Sequence, residues 1–447
     1  MKHVYIETFG CQMNKSDSEH MLGLLDEIGY QQTDDNKNAD LMILNTCAIR
    51  EGAEDKVFSY LGHWNKHKRK DSLIAVGGCV AQDMGEALLK RCEYVDIVFG
   101  THNLHKLPDL VLQAKNTGKR IVEIIPELPD DLPETPVIRQ SNFSAWVSII
   151  YGCDYNCTYC IVPYVRGREK SRTPEVILQE IKELAQAGYK EVTLLGQNVT
   201  AYGHDLQPVK HLGHLIEMVG ELDGIKRIRF LTGHPRDLNP EIIEAVAKVP
   251  SACEYFHLPI QAGDDRTLRR MARGYDVDFY RRVASQVRSR IPDAALTSDI
   301  IVGFPGETDQ EFMNTINLVE EMCFDSVNTA AYSPRPHTPA ANWPDQIPDE
   351  VKNERLRFLN TVVSEVSHRR NKRYLGSVCE VLVEGRSDRN PERLSGRTRT
   401  NKIVNFVGPE NLIGQLVNVR IETANPWALR GSLVDAAEVV PVAVLMK

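Results

Sequence analysis

Short apolar runs alternate with stretches of helical periodicity along the first part of the chain. Apolar runs predict strands at 4–9, 41–44, 73–76 and 95–99, and helical spacing predicts helices over 16–28 and 51–64. Gly29 ends the first of these helices. Short buried strands that alternate with helices indicate a parallel sheet with helices on its faces. The pattern therefore predicts an N-terminal parallel α/β domain.

The alternation stops at residues 126–136, which hold four prolines and four acids and predict a linker. It resumes from about 141 to 334. Strands are predicted there at 145–150, 191–195, 227–231, 255–260, 297–302 and 326–332, with helices such as 173–187 and 309–322 between them. Six strand–helix units predict an open, partial (β/α)6 barrel, whose right-handed crossovers place the carboxyl ends of the strands on one side.

The last part of the chain changes character after a long charged helix at 352–374. Short strands broken by Gly, Asn and Pro are predicted at 378–383, 403–406, 416–421 and 433–436. They indicate a small all-β barrel. We therefore predict four segments: an N-terminal domain at 1–120, a linker at 121–138, a central barrel at 139–370 and a C-terminal β-barrel at 371–440.

Composition limits the possible functions. The 447 residues are 42% hydrophobic and 26% charged, as in a soluble multidomain protein. No apolar run approaches the ~18 residues of a membrane span, and the N-terminus lacks a signal peptide, so we expect a cytoplasmic protein and no membrane partner. The sequence does not reveal the oligomeric state, and a monomer is the default expectation. The net charge of −8 excludes a protein that coats nucleic acid indiscriminately, although it permits a local basic face.

Three of the ten cysteines stand close together as Cys153, Cys157 and Cys160. The C-x3-C-x2-C loop directly follows the first predicted strand of the central barrel. Three thiolates can hold three corners of a [4Fe–4S] cluster and leave the fourth iron open to another ligand. A structural zinc site would require four ligands. The incomplete set indicates a reactive metal site.

Three further cysteines, Cys11, Cys47 and Cys79, each come just after a predicted parallel strand. The carboxyl ends of such strands share one crevice, so these cysteines are expected to converge. Their neighbours Gly10, Thr46 and Gly78 permit close backbone approach to a bulky cluster and hydrogen bonds to its sulfurs. The alternative is that they are small buried apolar residues. That role is predicted for the remaining cysteines: Cys92, Cys253, Cys323 and Cys379.

The three-cysteine loop, with Tyr159 just before its last cysteine, resembles the radical S-adenosylmethionine (SAM) superfamily. With the N-terminal cysteines and the β-barrel, the whole chain is similar to the methylthiotransferase family, whose order is an N-terminal methylthiotransferase domain, a radical SAM core and a TRAM domain. The runs at 8–14, 17–19, 45–51, 196–199, 299–308 and 396–401 most resemble the branch that modifies N(6)-dimethylallyladenosine in tRNA. The chain departs from the family pattern at 232–235, 261–264, 328–331 and His337.

This resemblance implies two [4Fe–4S] clusters and SAM. Cys153, Cys157 and Cys160 would hold the SAM-binding cluster, and Cys11, Cys47 and Cys79 an auxiliary cluster that supplies sulfur. The product would be 2-methylthio-N(6)-dimethylallyladenosine at position 37, beside the anticodon. The implied partners are the tRNA anticodon loop, an electron donor such as a flavodoxin or ferredoxin, and a sulfur or cluster supply system. The residues that would contact SAM are Tyr159, Gly303 and Gly306, although the two glycines also suit a strand-to-helix turn.

Residues 386–402 are predicted to form a basic loop of the β-barrel. Their cations outnumber Asp388 and Glu392 and suit phosphate contact. A solvated loop is the alternative, and the resemblance to the RNA-binding TRAM domain favours RNA. The candidate RNA-binding residues are Arg386, Arg389, Arg393, Arg397, Arg399 and Lys402.

Two other hypotheses remain at this stage. The same chemistry could act on a ribosomal protein or on threonylcarbamoyl-adenosine in tRNA. A different class would be an RNA-binding iron–sulfur redox sensor without catalysis, although two cysteine sets that each leave an iron open argue against it. Formation of 5′-deoxyadenosine from SAM would distinguish an enzyme from a sensor.

Overall fold

The computed structural model describes residues 2–48, 53–129 and 133–434. Its N-terminal part is a six-stranded sheet in the order β2-β1-β3-β4-β5-β6, and all of its strand pairs are parallel. The predicted parallel α/β fold is thus confirmed. The elements are β1 Lys2–Thr8, α1 Gln12–Asp26, β2 Tyr30–Gln32, β3 Leu41–Thr46, α2 Ala53–His67, β4 Leu73–Gly78, α3 Cys79–Met84, α4 Glu86–Arg91, β5 Ile97–Phe99, α5 Leu107–Thr117 and β6 Ile121–Glu123.

The first helix, α1, begins at Gln12, four residues before the predicted start. Cys11 is its N-cap residue and has extended backbone, so the chain turns into the helix directly after β1. Asn14 is fully buried, and its amide donates to the side chain of Asn45 and to the carbonyl of Thr46. The hydrophobic pattern did not predict the first turn because most of its residues are polar. The turn is buried all the same, since its polar groups are hydrogen-bonded inside the protein.

The central part contains two three-stranded parallel sheets, β11-β10-β7 and β12-β13-β14, joined by a bridge between Ile228 and Ala252. Together they form the predicted open barrel of six strands. A short antiparallel pair, β8 with β9, was not predicted. The elements are β7 Ser144–Ser148, β8 Ile150–Tyr151, α6 Val162–Arg166, β9 Lys170–Ser171, α7 Pro174–Gln186, β10 Glu191–Leu195, α8 Leu212–Gly220, β11 Arg227–Phe230, α9 Pro240–Lys248, β12 Tyr255–His257, α10 Asp265–Arg270, α11 Val277–Arg290, β13 Ala295–Val302, α12 Asp309–Met322, β14 Ser326–Ala331 and α13 Asp349–Asn371.

The helices around the barrel begin where the sequence supplies caps. Thr308 and Glu311 form a reciprocal capping box at the start of α12, which has the bounds predicted for it. The Asn239 side chain accepts from the backbone N–H of Ile242 at 2.9 Å and caps α9. The apolar faces of these helices pack with the strands into one large core.

The C-terminal part is a closed five-stranded barrel in the order β15-β16-β17-β19-β18. The prediction of a loop at 386–402 is wrong, because most of these residues form a hairpin of β15 and β16. Leu394, Gly396 and Thr398 are buried, and they alternate with the less buried Ser395 and Arg397. The many charges of the segment obscured this strand pattern. The strands are β15 Val378–Ser387, β16 Asn390–Thr398, β17 Ile403–Phe406, β18 Leu416–Ala424 and β19 Leu429–Leu433.

The β-barrel docks on the central barrel at the amino ends of its strands. Arg227, at the start of β11, is fully buried and donates to Glu380 at 2.8 Å and to the Arg397 carbonyl at 2.8 Å. Asp325, just before β14, is also fully buried and lies among three cations. These are Arg370, Arg373 and Lys402. The predicted carboxyl-end face of the central barrel therefore stays clear of the β-barrel.

Parts of three predicted elements lie outside the described residues. They are the helix start at 51–52, the middle of the linker at 130–132 and the strand end at 435–436. Across the described residues, no helix combines the length and apolar composition needed to cross a membrane.

Candidate functional site

The N-terminal cysteines follow three adjacent strands at one edge of the sheet. Thr8 pairs with Asn45, and Thr46 pairs with Gly78, so β1, β3 and β4 end side by side. A Cβ added at Gly10, beside Cys11, would lie 2.6 Å from Cβ and 3.1 Å from Sγ of Cys47. The backbone before the first cysteine therefore touches the second one, which fits the predicted convergence.

The three thiols at these adjacent strand ends are a soft donor set, which suits an iron–sulfur cluster. A four-iron cube spreads its ligands over separate corners. Burial raises the pKa of the Cys79 thiol, and the nearby Arg166 cation opposes this effect.

The C-x3-C-x2-C loop is fastened at both ends. Gly152 has φ of +67°, and a Cβ there would lie 2.0 Å from the carbonyl oxygen of Arg168. The next residue, Cys153, donates its backbone N–H to the Gly167 carbonyl at 3.0 Å. At the far end the Thr158 hydroxyl donates to the carbonyl of Arg270 at 2.8 Å. These contacts fix the backbone of the loop at both places.

The loop thiols lie in a low-dielectric environment with one buried arginine. Burial raises the pKa of the Cys153 and Cys160 thiols to about 12. Arg273 is 4% exposed, and its guanidinium lies 3.3 Å from Sγ of Cys157 and 3.4 Å from the Tyr159 hydroxyl. No local sequence pattern indicates Arg273, because its burial depends on tertiary contacts with Cys157 and with the Pro259 carbonyl. Three thiols beside a cation fit an anionic iron–sulfur group.

Helix α6 connects the two cysteine sites. It starts one residue after Ile161, and both Ile161 and Val165 are buried in the apolar core of the N-terminal domain. The Thr101 hydroxyl donates to the Val165 carbonyl at 2.5 Å. At the end of the helix, Arg166 pairs with Asp17 of α1 at 2.7 Å. The segment directly after Cys160 therefore packs against the domain that carries the other three cysteines.

A polar network lies beside the loop at the carboxyl ends of β10 and β11. Asp237 accepts from the Tyr155 hydroxyl at 2.7 Å and from the Asn198 amide at 2.6 Å. The Tyr155 ring stacks on His234, with centroids 3.9 Å apart. Burial lowers the pKa of His234 to about 2, so its imidazole is neutral. Burial also raises the pKa of Glu169 to about 7.

The imidazole of His234 has one N–H group without a hydrogen-bond acceptor among the described residues. Its Nδ1 accepts from the backbone N–H of Arg236 at 3.3 Å, which leaves the proton of the neutral ring on Nε2. Nε2 is buried and has no partner among the described residues. The network thus offers a fixed carboxylate and a free imidazole N–H to a polar ligand.

The two glycines predicted to contact SAM lie against other side chains of the protein. A Cβ at Gly303 would lie 2.2 Å from Cγ of Lys352, and one at Gly306 would lie 2.3 Å from Oδ2 of Asp345. The Gly303 N–H donates to Glu307 at 2.7 Å. These contacts favour the strand-to-helix turn that the sequence left open. Contact of either glycine with SAM stays a prediction, as does that of Tyr159, whose ring packs edge-on against Phe304.

The six basic residues of the segment 386–402 separate into three groups. Arg399 makes a bidentate pair with Glu254, and Lys402 is buried against Asp325, so both connect the β-barrel to the central barrel. Arg397 pairs with Glu384 at 3.2 Å. The remaining three lie nearer the hairpin tip: Arg386, Arg389 and Arg393.

Three family models match the chain in order. They are "Uncharacterized protein family UPF0004" at residues 3–100, "Radical SAM superfamily" at 147–319 and "TRAM domain" at 372–434. The two cysteine sites fall within the first two matches. Fold and site thus define an enzyme of the radical SAM superfamily that carries a TRAM domain, and this superfamily implies SAM and a [4Fe–4S] cluster.

Curated relatives match almost the whole chain. The tRNA-2-methylthio-N(6)-dimethylallyladenosine synthase of Anoxybacillus flavithermus is 50% identical over 436 residues, which are 96% of this chain and 82% of the relative. The synthase of the same name from Thermoanaerobacter pseudethanolicus is 47% identical over 97% of this chain and 93% of the relative. The chain belongs to the family of the tRNA-2-methylthio-N(6)-dimethylallyladenosine synthases.

Solved structures agree on the fold. The radical SAM methyltransferase TsrM of Kitasatospora setae superposes with a TM-score of 0.56, covering 76% of this chain and 75% of TsrM. A second TsrM structure, with cobalamin and a [4Fe–4S] cluster bound, has a TM-score of 0.55. At 14% identity this likeness concerns the fold alone.

Proposed function

We propose that this protein uses SAM and two [4Fe–4S] clusters to place a methylthio group on carbon 2 of N(6)-dimethylallyladenosine at position 37 of tRNA. The near full-length identity to synthases of that name supports the substrate. The observation that carries the chemistry is the presence of two separate three-cysteine sites joined by α6. One site would bind and cleave SAM, and the other would supply sulfur.

In this proposal Cys153, Cys157 and Cys160 hold the SAM-binding cluster. The auxiliary cluster is held by Cys11, Cys47 and Cys79. Such clusters, when bound, supply the electron transfer and the sulfur that no side-chain acid or base provides. An external one-electron donor such as a flavodoxin or ferredoxin, and a sulfur or cluster supply system, complete the requirements.

The polar network beside the loop suits the role of orienting SAM. Asp237 is fixed by two hydrogen bonds, so its carboxylate is positioned before a ligand arrives. The His234 Nε2–H can donate to a carboxylate or hydroxyl of the ligand. The Tyr155 ring stacks on His234 and so helps to hold the imidazole in place.

We assign RNA contact to the tip of the hairpin. Arg389 is exposed and Arg393 partly exposed, and no ion pair involves either within the described residues. Next to them lies a cleft of about 520 Å³ that includes Arg389, Arg430 and Trp427, whose side chain is 55% exposed. An exposed aromatic ring between arginines is suited to stack an unpaired base while the cations contact phosphate.

The test is mass spectrometry of tRNA nucleosides from a strain that lacks the gene. We expect 2-methylthio-N(6)-dimethylallyladenosine to disappear and to return with the wild-type gene, but not with Cys47→Ala. Cys92→Ala is the matched control, because Cys92 is equally buried in the same domain but belongs to neither site; it should restore the nucleoside. An unchanged nucleoside level in the deletion strain would refute the substrate assignment.

A further inference from the structure

The Arg166 side chain extends from the cysteine-loop segment to the other cysteine site. It ends α6, six residues after Cys160, and only 6% of it is exposed. Its guanidinium pairs with Asp17 at 2.7 Å, between Nη2 and Oδ2. Asp17 belongs to α1, which starts directly after Cys11. A buried ion pair thus stands where the two domains meet.

The ion pair lies close to the N-terminal thiols. Val165, the residue before Arg166, is buried in the same apolar core as Cys79, and Asp17 lies on the second turn of the helix that Cys11 caps. The Arg166 cation acts on both Cys79 and Cys11 and favours negative charge there. Asp17 acts on Cys79 with the opposite sign. A buried arginine is costly unless charge and hydrogen bonds compensate it, and one aspartate leaves most of the five guanidinium N–H donors for other acceptors. Sulfurs of an anionic cluster are suitable acceptors.

We propose that Arg166 and Asp17 together set the reduction potential of the cluster at Cys11, Cys47 and Cys79, the arginine raising it and the aspartate lowering it. This inference rests on the proposed two-cluster function. Adding one electron makes the cluster more negative, so a nearby cation stabilises the reduced form and a nearby anion destabilises it. Because Arg166 comes from the segment of the SAM-binding loop, that segment would tune the sulfur-donating site.

The test isolates the auxiliary cluster in a triple variant, Cys153→Ala, Cys157→Ala and Cys160→Ala. The full chain is reconstituted with iron and sulfide, and its potential is measured by EPR during titration with dithionite. In this background, Arg166→Gln should lower the ratio of reduced to oxidised cluster at least tenfold at a fixed ambient potential, which is about 59 mV for a one-electron couple. Asp17→Asn should shift the ratio in the opposite direction.

Opposite signs are the decisive outcome. If the pair only holds the two domains together, both substitutions loosen the same contact, and shifts of the same sign, or none, would overturn the inference. Arg166→Lys keeps the charge and should remain near the starting potential. If Arg166→Gln does not fold, the upward shift expected for Asp17→Asn still decides the question.

A matched control comes from another buried arginine between the domains. The Arg139 side chain is 7% exposed and pairs with Glu19 of α1 at 3.2 Å. Its hydrogen bonds in the described structure go to Glu19, Glu180 and the Trp146 carbonyl, so Arg139→Gln should leave the potential unchanged. If the triple variant retains no iron, the two-cluster function fails, and this inference with it. A cluster whose reduction potential is the same in Arg166→Gln and Asp17→Asn as in the starting protein would refute this inference but not the two-cluster function.

Discussion

At the scale of single residues, the cysteine loop depends on a glycine that is not a ligand. Gly152 combines a left-handed φ of +67° with a backbone carbonyl only 2.0 Å from where a Cβ would stand. The first condition disfavours every other residue, and the second excludes even alanine unless the strands β8 and β9 separate. The position of Cys153 is therefore set by its neighbour.

We predict that Gly152→Ala lowers stability and weakens binding of the cluster that we propose for this loop. The left-handed backbone alone costs about 1–2 kcal/mol, and the clash with the Arg168 carbonyl adds to it. Gly188→Ala is the control, because Gly188 has φ of +91° but nothing within 4 Å of an added Cβ. Urea unfolding and iron content measure both effects. Equal loss of stability in the two variants, with full iron content, would contradict the role given to Gly152.

The sequence predicts both sets of cysteines as cluster ligands, but it does not indicate the arginines beside them. The spacing predicts Cys153, Cys157 and Cys160, and the strand ends predict the N-terminal three. Arg166 and Arg273 are 6% and 4% exposed. Their burial comes from tertiary contacts with α1 and with the loop, which no local pattern of charge reveals.

At the scale of elements, the β15–β16 hairpin serves two purposes. Its tip carries exposed arginines, and the turn after β16 joins the β-barrel to the central barrel through Arg399 and Lys402. The alternation of Leu394, Gly396 and Thr398 with Ser395 and Arg397 indicates a strand, but the high charge favoured a loop. The helices were easier to predict because caps such as Thr308 are local.

Substitution by alanine at two arginines of this region should affect two different properties, tRNA binding and stability. Arg389→Ala should weaken tRNA binding and reduce its salt dependence by about one phosphate contact, with unchanged stability, because the residue is exposed. Arg399→Ala should lower stability by about 1–3 kcal/mol, since it leaves Glu254 unpaired at the domain contact. Binding titrations at several salt concentrations and urea unfolding measure the two effects. Destabilisation by Arg389→Ala, or none by Arg399→Ala, would contradict this division.

At the scale of the whole molecule, the three parts have a directional arrangement. The β-barrel docks at the amino ends of the central strands, through Arg227 and Asp325, whereas the three-cysteine loop follows the carboxyl end of β7. An RNA that contacts both must extend around the barrel. The order of domains followed from sequence, but this docking did not, because it depends on ion pairs between distant segments. The boundaries at 120, 138 and 370 stay predictions.

The central claim is that the two cysteine sites carry different steps of one reaction. One anaerobic assay tests it directly, by quantifying 5′-deoxyadenosine and methylthiolated tRNA from the same mixture of enzyme, SAM, reductant and tRNA. Cys153→Ala should abolish both products, Cys47→Ala should keep measurable 5′-deoxyadenosine but form no methylthiolated tRNA, and Cys92→Ala should match the wild type. Normal methylthiolated tRNA from Cys47→Ala would contradict the account.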